Sequence, residues 1–332
     1  MPASSPPARV VRAATMRSAL VAAPGTARLA AARIPEPGPG EIRVRLEGCG
    51  VCGSNLPFWE GRPWFSYPGE PGAPGHEGWG VVDAVGVEVD EPSIGDRVAT
   101  LSTHAFAEYD VVAAEASAVI PPALADLPFP GEPLACAMNA FRRADVRSGH
   151  TVAVIGIGFL GALLVSLCAS AGARVIAVSR RPFALDMARV MGAEATIPLE
   201  EHETIVRRIG ELTGGEGADR VFEAVGQQWP LDLAGELTRV RGRLLIAGYH
   251  QDGRRSVDMQ LWNWRGLDVV NAHERDPAVY VRGMRDAIAA VAQGRLDPGP
   301  LYTHRFPLDA LADAMNAMRE RPAGFMKALV LP

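Results

Sequence analysis

The stretch Thr151–Arg181, TVAVIGIGFLGALLVSLCASAGARVIAVSRR, decides the fold of this chain of 332 residues. It opens with an apolar run typical of a strand, turns through Gly156, Gly158 and Gly161, and continues as an almost wholly apolar helix before a second apolar run. In a G-x-G-x-x-G turn the first glycine permits the tight bend, the second lets a pyrophosphate approach, and the third lets helix and strand pack closely. The order strand, glycine turn, helix, strand predicts a dinucleotide-binding unit.

The identity of the dinucleotide depends on the two ends of this unit. Phe159 and Leu160 begin the helix, whose free N–H groups and partial positive charge face the phosphates. An acidic residue about 20 positions on would bind the ribose 2′-hydroxyl, but Ser179 holds that place and Arg180 and Arg181 follow. A hydroxyl beside a guanidinium suits a phosphomonoester. The sequence therefore favours NADP(H), with NAD(H) as the alternative.

Composition excludes several classes of protein. Thirty-eight acidic residues against 33 Lys and Arg give a net charge of −5, which provides no basic surface for nucleic acid. No apolar run approaches the roughly 20 residues needed to span a bilayer. Four cysteines in so long a chain argue against a disulfide framework. We expect a cytoplasmic protein whose partners are small molecules, with neither a membrane nor a nucleic acid among them.

The chain divides into a tail and two domains. Residues 1–15 are rich in Pro, Ala and Ser and predict a disordered tail. Residues 16–138 show short β segments between Gly and Pro turns, typical of a mostly antiparallel β domain. Residues 139–273 alternate strands and helices, which predicts a doubly wound parallel sheet. The closing strand MKALVLP suggests that residues 274–332 return to the first domain.

Polar and thiol side chains gather in three segments outside the parallel sheet. These are GCGVCGSN at 48–55, GHEGWG at 75–80 and GEPLACAMNAF from 131. Together they supply a thiol, an imidazole and carboxylates. A catalytic zinc site takes three such protein ligands and leaves the fourth position open for water or substrate.

At these motifs the chain resembles the zinc-dependent branch of the medium-chain dehydrogenase/reductase superfamily, which includes alcohol, sorbitol and threonine dehydrogenases. The resemblance runs from about residue 16 to the end. It implies an α/β protein with a GroES-like β catalytic domain and a Rossmann doubly wound parallel-sheet cofactor domain. It also implies one catalytic Zn²⁺ held by Cys52, His76 and Glu132, and an assembly of two or four copies.

The same resemblance assigns further roles. Glu77 matches the acid beside the metal, Ser54 matches the hydroxyl that takes the substrate proton, and Lys327 matches a basic residue near the cofactor phosphates. The implied reaction interconverts an alcohol, such as a polyol, cyclitol or secondary alcohol, with its aldehyde or ketone by hydride transfer.

Three features depart from the family pattern. Asn55 stands where the family usually has Asp, and we expect its carbonyl oxygen to accept the imidazole N–H of His76. Pro57 replaces a histidine that often passes the proton outward, which leaves the proton exit unassigned. The four-cysteine segment that holds a structural zinc in many relatives is missing, so we expect one zinc per subunit.

Some alternatives stay open at this stage. Cys136 lies four residues after Glu132 and is the reserve candidate for a ligand. The aromatic residues after the Cys52 loop either pack in the core or line the substrate pocket. They are Trp59, Trp64, Phe65 and Tyr67. For the whole protein, the alternatives are a zinc-free quinone or enone reductase of the same superfamily and a dinucleotide-binding protein without turnover.

Overall fold

The computed structural model describes residues 14–332. Strand β1 begins at Thr15, so the predicted tail of residues 1–15 is too long by its last residue. Residues 1–13 of that tail lie outside the described residues. The first part of the chain forms β1 (Thr15–Ala23), β2 (Thr26–Arg33), β3 (Glu41–Gly50), α1 (Leu56–Trp59), β4 (Gly78–Val85), β5 (Arg97–Thr100), β6 (Tyr109–Ala113), β7 (Ser117–Val119) and α2 (Gly131–Ala144).

The middle part forms the parallel sheet predicted from the glycine turn. It contains β8 (Thr151–Ile155), α3 (Phe159–Ser170), β9 (Arg174–Ser179), α4 (Pro182–Val190), β10 (Ala195–Pro198), α5 (His202–Leu212), β11 (Ala218–Glu223), α6 (Gln228–Leu237), β12 (Thr238–Ile246), α7 (Met259–Arg265) and β13 (Asp268–Asn271). The strand order is β10-β9-β8-β11-β12-β13, with all pairs parallel. This order reverses between β8 and β11, and ligands of such sheets bind outside the carboxyl ends of the strands at that point.

The last part returns to the β domain with α8 (Pro277–Ala292), β14 (His304–Pro307), α9 (Leu311–Glu320) and β15 (Ala328–Leu331). Strand β15 pairs antiparallel with β3, where Leu329 faces Gly50 and Val330 faces Cys49. The sheet of this domain runs β14-β15-β3-β4-β5-β7, with β6 also on β3. The parallel-sheet segment is therefore an insertion in the β domain. Strand β15, which follows the insertion in the chain, completes the sheet of the β domain.

The alternation of IRVRL in β3 sets the inward face of that domain. Ile42, Val44 and Leu46 are buried, and Arg43 and Arg45 point the other way. Side chains alternate across a strand, so apolar residues at every second position place one face on the core. The prediction of a mostly antiparallel β domain is confirmed by the pairing of β3 with β4 and of β4 with β5.

Two elements of the cofactor domain escaped sequence reasoning. Strand β10 has four residues, of which only Ile197 is buried, so it carries no apolar run. It lies at the sheet edge, where one side makes no strand pair. Helix α7 has no buried residue, so its sequence carries no apolar face that would predict a helix.

One hydrophobic core spans the junction of the two domains. It joins Trp79 and Phe129 of the β domain to Leu134 of α2 and to Val154 and Leu163 of the parallel-sheet domain. Helix α2 crosses the predicted boundary at 138/139 and packs against both α3 and α8. Among residues 14–332, no helix has both the length and the apolar character needed to cross a bilayer.

Candidate functional site

Strand pairing brings two of the three chemistry-bearing segments together. Strands β3 and β4 pair antiparallel, with Cys49 opposite Gly78, so the segment that leaves β3 meets the segment that enters β4. Cys52 lies on the first segment, and His76 and Glu77 lie on the second. One potential ligand atom from each of these three residues lies within 4.8 Å of the other two.

Through Nδ1, the ring of His76 contacts both a backbone carbonyl and, at 3.3 Å, the Nδ2 of Asn55. Its Nδ1 lies 3.0 Å from the carbonyl oxygen of Pro74. The Asn55 side chain donates from Nδ2 to that same carbonyl at 2.9 Å, and its Oδ1 accepts the Cys52 N–H at 2.8 Å. The expectation that the Asn55 oxygen accepts the imidazole N–H is therefore wrong, because the Asn55 atom within reach of the ring is Nδ2, whereas Oδ1 accepts from Cys52. With Nδ1–H donating to Pro74, Nε2 is left as the nitrogen that can hold a metal.

The environment of His76 favours positive charge. Burial by itself would lower the pKa of the imidazole, but the hydrogen bond and charge of Cys52 oppose it. Together with the carboxylates of Glu132 and Glu77, Cys52 raises the pKa of His76 to about 10. Ser54 Oγ lies 3.4 Å from Nε2. A cation between Cys52 and His76 would sit in a site already built for positive charge.

Glu132 lies close to His76 and Glu77. Its carboxylate oxygens are not among the ligand atoms that lie within 4.8 Å of one another. It occupies the first turn of α2, and Cys136 Sγ donates to its Oε1 at 3.3 Å. Burial raises the pKa of the Glu132 carboxyl, and the charge of His76 opposes that shift. Cys136 thus contacts the carboxylate that was expected to be the third ligand, and its own pKa is raised by burial.

Lys327 has a partner other than the one expected. Its Nζ lies 2.6 Å from Glu77 Oε1 and 3.0 Å from the carbonyl oxygen of Val51, and both charged side chains are buried. Burial would lower the pKa of Lys327, but the charge and hydrogen bond of Glu77, together with the charges of Cys52 and Glu132, raise it. The ammonium also lies 4.9 Å from the centre of the Phe159 ring. Lys327 was expected beside the cofactor phosphates, whereas here it neutralises Glu77 and connects the cluster to the start of α3.

The glycine turn has the geometry that its sequence predicts. Gly156 has a φ of +94°, which side chains rarely adopt, and a Cβ on Gly161 would lie 2.1 Å from the Gly156 oxygen. A Cβ on Gly158 would meet no atom within 4 Å, so this glycine borders open space at the N-terminus of α3. An approaching pyrophosphate would find room there together with free N–H groups.

The two arginines after β9 differ in their surroundings. Ser179 is buried and Arg180 is exposed. The Arg181 guanidinium donates to the carbonyl oxygens of Phe325 at 2.5 Å and Ile157 at 3.1 Å. Arg181 therefore joins the β domain to the glycine turn, a role with no signal in the sequence because its partners are distant backbone groups.

The aromatic residues after the Cys52 loop separate into two groups. Trp59 is buried at 1 % exposure, and its Nε1 donates to Asn316 Oδ1 at 3.1 Å, so it belongs to the β-domain core. Trp64 is 61 % exposed. The core alternative is therefore correct for Trp59 and wrong for Trp64.

Comparison with known proteins agrees with this arrangement. The family model for the alcohol dehydrogenase GroES-like domain matches residues 38–121, and the model for zinc-binding dehydrogenases matches residues 160–288. The chain belongs to the zinc-type, alcohol dehydrogenase-like branch of the medium-chain dehydrogenase/reductase family. It is an oxidoreductase with a GroES-like domain and a Rossmann-like parallel sheet.

Relatives match the chain along most of its length. An alcohol dehydrogenase of Cupriavidus necator is 26% identical and covers 96% of this chain and 99% of its own. Human sorbitol dehydrogenase is 27% identical, covering 91% of this chain and 92% of its own. A crystal structure of a zinc-binding dehydrogenase from Sinorhizobium meliloti, bound to NADP, superposes with a TM-score of 0.84 at 27% identity and covers 96% of this chain and all of its own.

Proposed function

We propose that this enzyme is a zinc-dependent dehydrogenase that interconverts an alcohol with its aldehyde or ketone, using a nicotinamide dinucleotide. The observation that carries the proposal is the group formed by Cys52, His76 and Glu77, whose ligand atoms lie within 4.8 Å of one another. Through Lys327 this group reaches Phe159, the first residue of the helix that follows the glycine turn. A metal held by this group and a dinucleotide bound at the glycine turn would therefore lie side by side.

The donor atoms fit zinc. A thiolate sulfur, an imidazole nitrogen and a carboxylate oxygen are the ligand types that Zn²⁺ takes in catalytic sites. We infer that Cys52 and His76 are two ligands and that the Glu132 carboxylate is the third. Glu77 lies nearer, but its charge is compensated by Lys327, so we assign it to the acid beside the metal.

The proposed chemistry divides between the bound groups and the protein. When bound, the ion supplies Lewis-acid stabilisation of an alkoxide, and the nicotinamide supplies the hydride acceptor. Ser54 Oγ accepts the proton of the substrate hydroxyl and releases its own hydroxyl proton to water, because it is partly exposed and lies next to the nitrogen of His76 that can face a metal. The Pro74 carbonyl keeps His76 in the tautomer that leaves this nitrogen free.

The metal role is tested by Cys52→Ser and His76→Ala. Both variants should lose zinc, measured by elemental analysis of the purified protein, and turnover should fall by about 10³-fold or more, since metal polarisation is worth several kcal/mol. Cys168→Ala, which removes a buried thiol from α3, should keep both. Full zinc content and wild-type turnover in Cys52→Ser would overturn the proposal.

The substrate class follows from relatives that act on alcohols, including the sorbitol dehydrogenase and a butanediol dehydrogenase. We propose a polyol, a cyclitol or a simple secondary alcohol. A panel of these compounds, assayed at high pH with NADP⁺ and NAD⁺, tests the assignment. Reduction of a quinone or enone by metal-free protein, without alcohol oxidation, would contradict it.

We propose NADP(H) as the preferred cofactor. Ser179 ends β9 and Arg180 follows it, so no carboxylate stands at the position that would repel a 2′-phosphate. The structural relative bound to NADP supports the same choice. The ratio of kcat/KM for NADP⁺ to that for NAD⁺ should exceed one.

We also propose that the enzyme is a homodimer or homotetramer. Strand β13 is an edge of the parallel sheet, and Trp264, in the helix before it, is 88 % exposed. An exposed tryptophan beside a strand edge is a surface that self-association would cover. Light scattering coupled to gel filtration should give two or four times the chain mass of 35.3 kDa, and a single-chain mass would refute the proposal.

A further inference from the structure

Three arginines from two domains converge at the carboxyl end of β9. Arg180 and Arg181 follow the strand directly. Arg321 ends helix α9 of the β domain in a left-handed conformation, with a φ of 49°, and its N–H bonds to the Ala317 oxygen at 2.8 Å. Arg321 opens the turn of residues 321–325, which leads to β15.

Arg181 links that turn to the cofactor domain by hydrogen bonds. Its Nη1 donates to the Phe325 oxygen, and its Nη2 donates to the Ile157 oxygen and lies 3.8 Å from the Met326 sulfur. Within the turn, the Phe325 N–H bonds to the Pro322 oxygen at 3.0 Å. Arg181 thus links the turn that carries Arg321 to Ile157, which lies between Gly156 and Gly158.

The positive charges in this cluster lack acidic partners. Among residues 14–332, neither Arg180 nor Arg181 nor Arg321 forms an ion pair, and residues 1–13 contain no Asp or Glu. Burial lowers the pKa of Arg181, and the charges of Arg321 and Arg180 lower it further. Arg321 keeps solvent contact, yet surrounding protein atoms and the charge of Arg180 lower its pKa as well.

Hydrogen bonding separates the roles of the three side chains. The Arg181 guanidinium donates hydrogen bonds to two carbonyl oxygens. The guanidinium groups of Arg180 and Arg321 make no hydrogen bond among the described residues. Two free guanidinium groups near the carboxyl end of β9, where Ser179 supplies a hydroxyl, form a set of donors for one phosphomonoester. A dianion bound between them would relieve their mutual repulsion.

We propose that Arg321 binds the 2′-phosphate of NADP(H) together with Arg180 and Ser179, so that both domains take part in recognising this phosphate. Arg181 is a positioning residue that holds the turn of Arg321 in place. The proposal rests on the NADP(H) assignment made above and adds to it a residue from the β domain. Selectivity for NADP(H) over NAD(H) then depends on the contact between the two domains that Arg181 makes at this turn.

Binding of adenosine 2′-monophosphate, adenosine, NADP⁺ and NAD⁺ to the full-length enzyme, measured by calorimetry, tests the proposal. Arg321→Gln should weaken adenosine 2′-monophosphate and NADP⁺ about 10-fold or more, the loss expected for a charge-assisted hydrogen bond. Affinity for NAD⁺ should stay within about twofold, because NAD⁺ lacks the phosphate. Arg321→Lys should recover part of the loss, and Arg319→Gln, on the exposed side of the same helix, should match wild type.

The outcomes separate the two proposals. If Arg180→Gln removes the preference for NADP⁺ while Arg321→Gln keeps the wild-type ratio of NADP⁺ to NAD⁺ affinity, the role of Arg321 is overturned and the cofactor assignment stands. If the wild-type enzyme binds adenosine 2′-monophosphate no better than adenosine, the cofactor assignment fails and the role of Arg321 fails with it. Unchanged NAD⁺ affinity in each variant verifies that the site is folded.

Discussion

Asn55 shows how one side chain holds two segments of the site. Its amide receives the Cys52 N–H and donates to the Pro74 carbonyl, the group that also orients His76. The amide therefore fixes the loop of one proposed ligand relative to the backbone acceptor of the other. A carboxylate in this place could not donate to Pro74, so the amide is suited to this arrangement.

Replacing Asn55 with Ala should weaken zinc binding. Residues that orient metal ligands typically contribute about 10–100-fold in metal affinity, and the unpaired buried groups should cost about 1–3 kcal/mol of stability. Competition with a chelator measures the zinc affinity, and denaturant unfolding measures the stability. Asn139→Ala, at another buried asparagine that donates to the Val279 oxygen, should lose stability but keep wild-type zinc affinity. Equal zinc affinity in both variants would argue against the role of Asn55.

Gly50 is the residue that makes room for the Glu77 and Lys327 pair. A Cβ at this position would lie 1.8 Å from Glu77 Oε2 and 2.9 Å from Lys327 Cε. We expect Gly50→Ala to displace the buried pair and to lower the free energy of unfolding by about 3–5 kcal/mol. The control is Gly210→Ala, in helix α5 with open space around it, which should stay within about 1 kcal/mol of wild type. Similar stabilities of the two variants would show that the pair adjusts freely.

At the scale of elements, one carboxylate adds to the backbone hydrogen bonds that attach the β1–β2 ribbon to the β domain. Glu108 accepts the backbone N–H of Arg17 at 2.7 Å and its guanidinium at 2.8 Å, next to a bridge between Ser18 and Ala107. Partial burial would raise the pKa of Glu108, but these Arg17 contacts lower it below the ordinary value. The ribbon is not part of the larger sheet's strand order, so these contacts add to its attachment.

The contribution of Glu108 should depend on pH. Because its pKa is lower in the folded than in the unfolded state, the carboxylate stabilises the fold above the ordinary Glu pKa of about 4.3, and the contribution disappears as pH falls through the folded value. Glu108→Gln should cost at most about 1 kcal/mol at pH 7, since the pair is partly exposed. Denaturant unfolding from pH 7 to pH 3 should show wild type and variant converging in acid. Glu115→Gln, at an exposed acid of the same domain, should show no such change, and a constant cost of Glu108→Gln at every pH would refute the assignment.

At the scale of the whole molecule, the two domains share a core. Helix α2 carries Glu132 on its first turn, and its Leu134 packs in the core that both domains share. The helix that supplies a proposed ligand therefore also connects the two domains. A core continuous across a domain boundary makes independent opening of either domain costly. The proposed metal ligands and the glycine turn therefore keep their relative position only while the whole chain stays folded.

We expect Leu134→Ala to destabilise both domains together. Removal of a buried leucine side chain costs about 2–5 kcal/mol, and calorimetry should show one transition shifted to lower temperature. Ile205→Ala, within the separate core of the parallel-sheet domain, should shift the same single transition. Two resolved transitions in Leu134→Ala would show that the domains unfold independently.

Local features of the chain were sufficient to predict the nucleotide unit and two members of the group that could hold a metal. The glycine turn lies within one short stretch, where spacing alone sets the strand, the bend and the helix. Cys52 and His76 could be predicted because each lies in a recognisable motif. Strand β10 could not, since a short edge strand with one buried residue lacks periodicity.

Partners that are distant in the chain were decided only by the tertiary structure. Lys327 meets Glu77 across 250 residues because β15 pairs with β3, and Arg321 reaches Arg180 because Arg181 binds the turn between α9 and β15. The acceptor for His76 is a backbone carbonyl, which every residue possesses and which no side-chain pattern can identify. Sequence by itself determined the kind of chemistry through residue types at short spacing. The charge balance around that chemistry was set by strand pairing and domain contacts, because ion pairs and hydrogen bonds depend on distances in space.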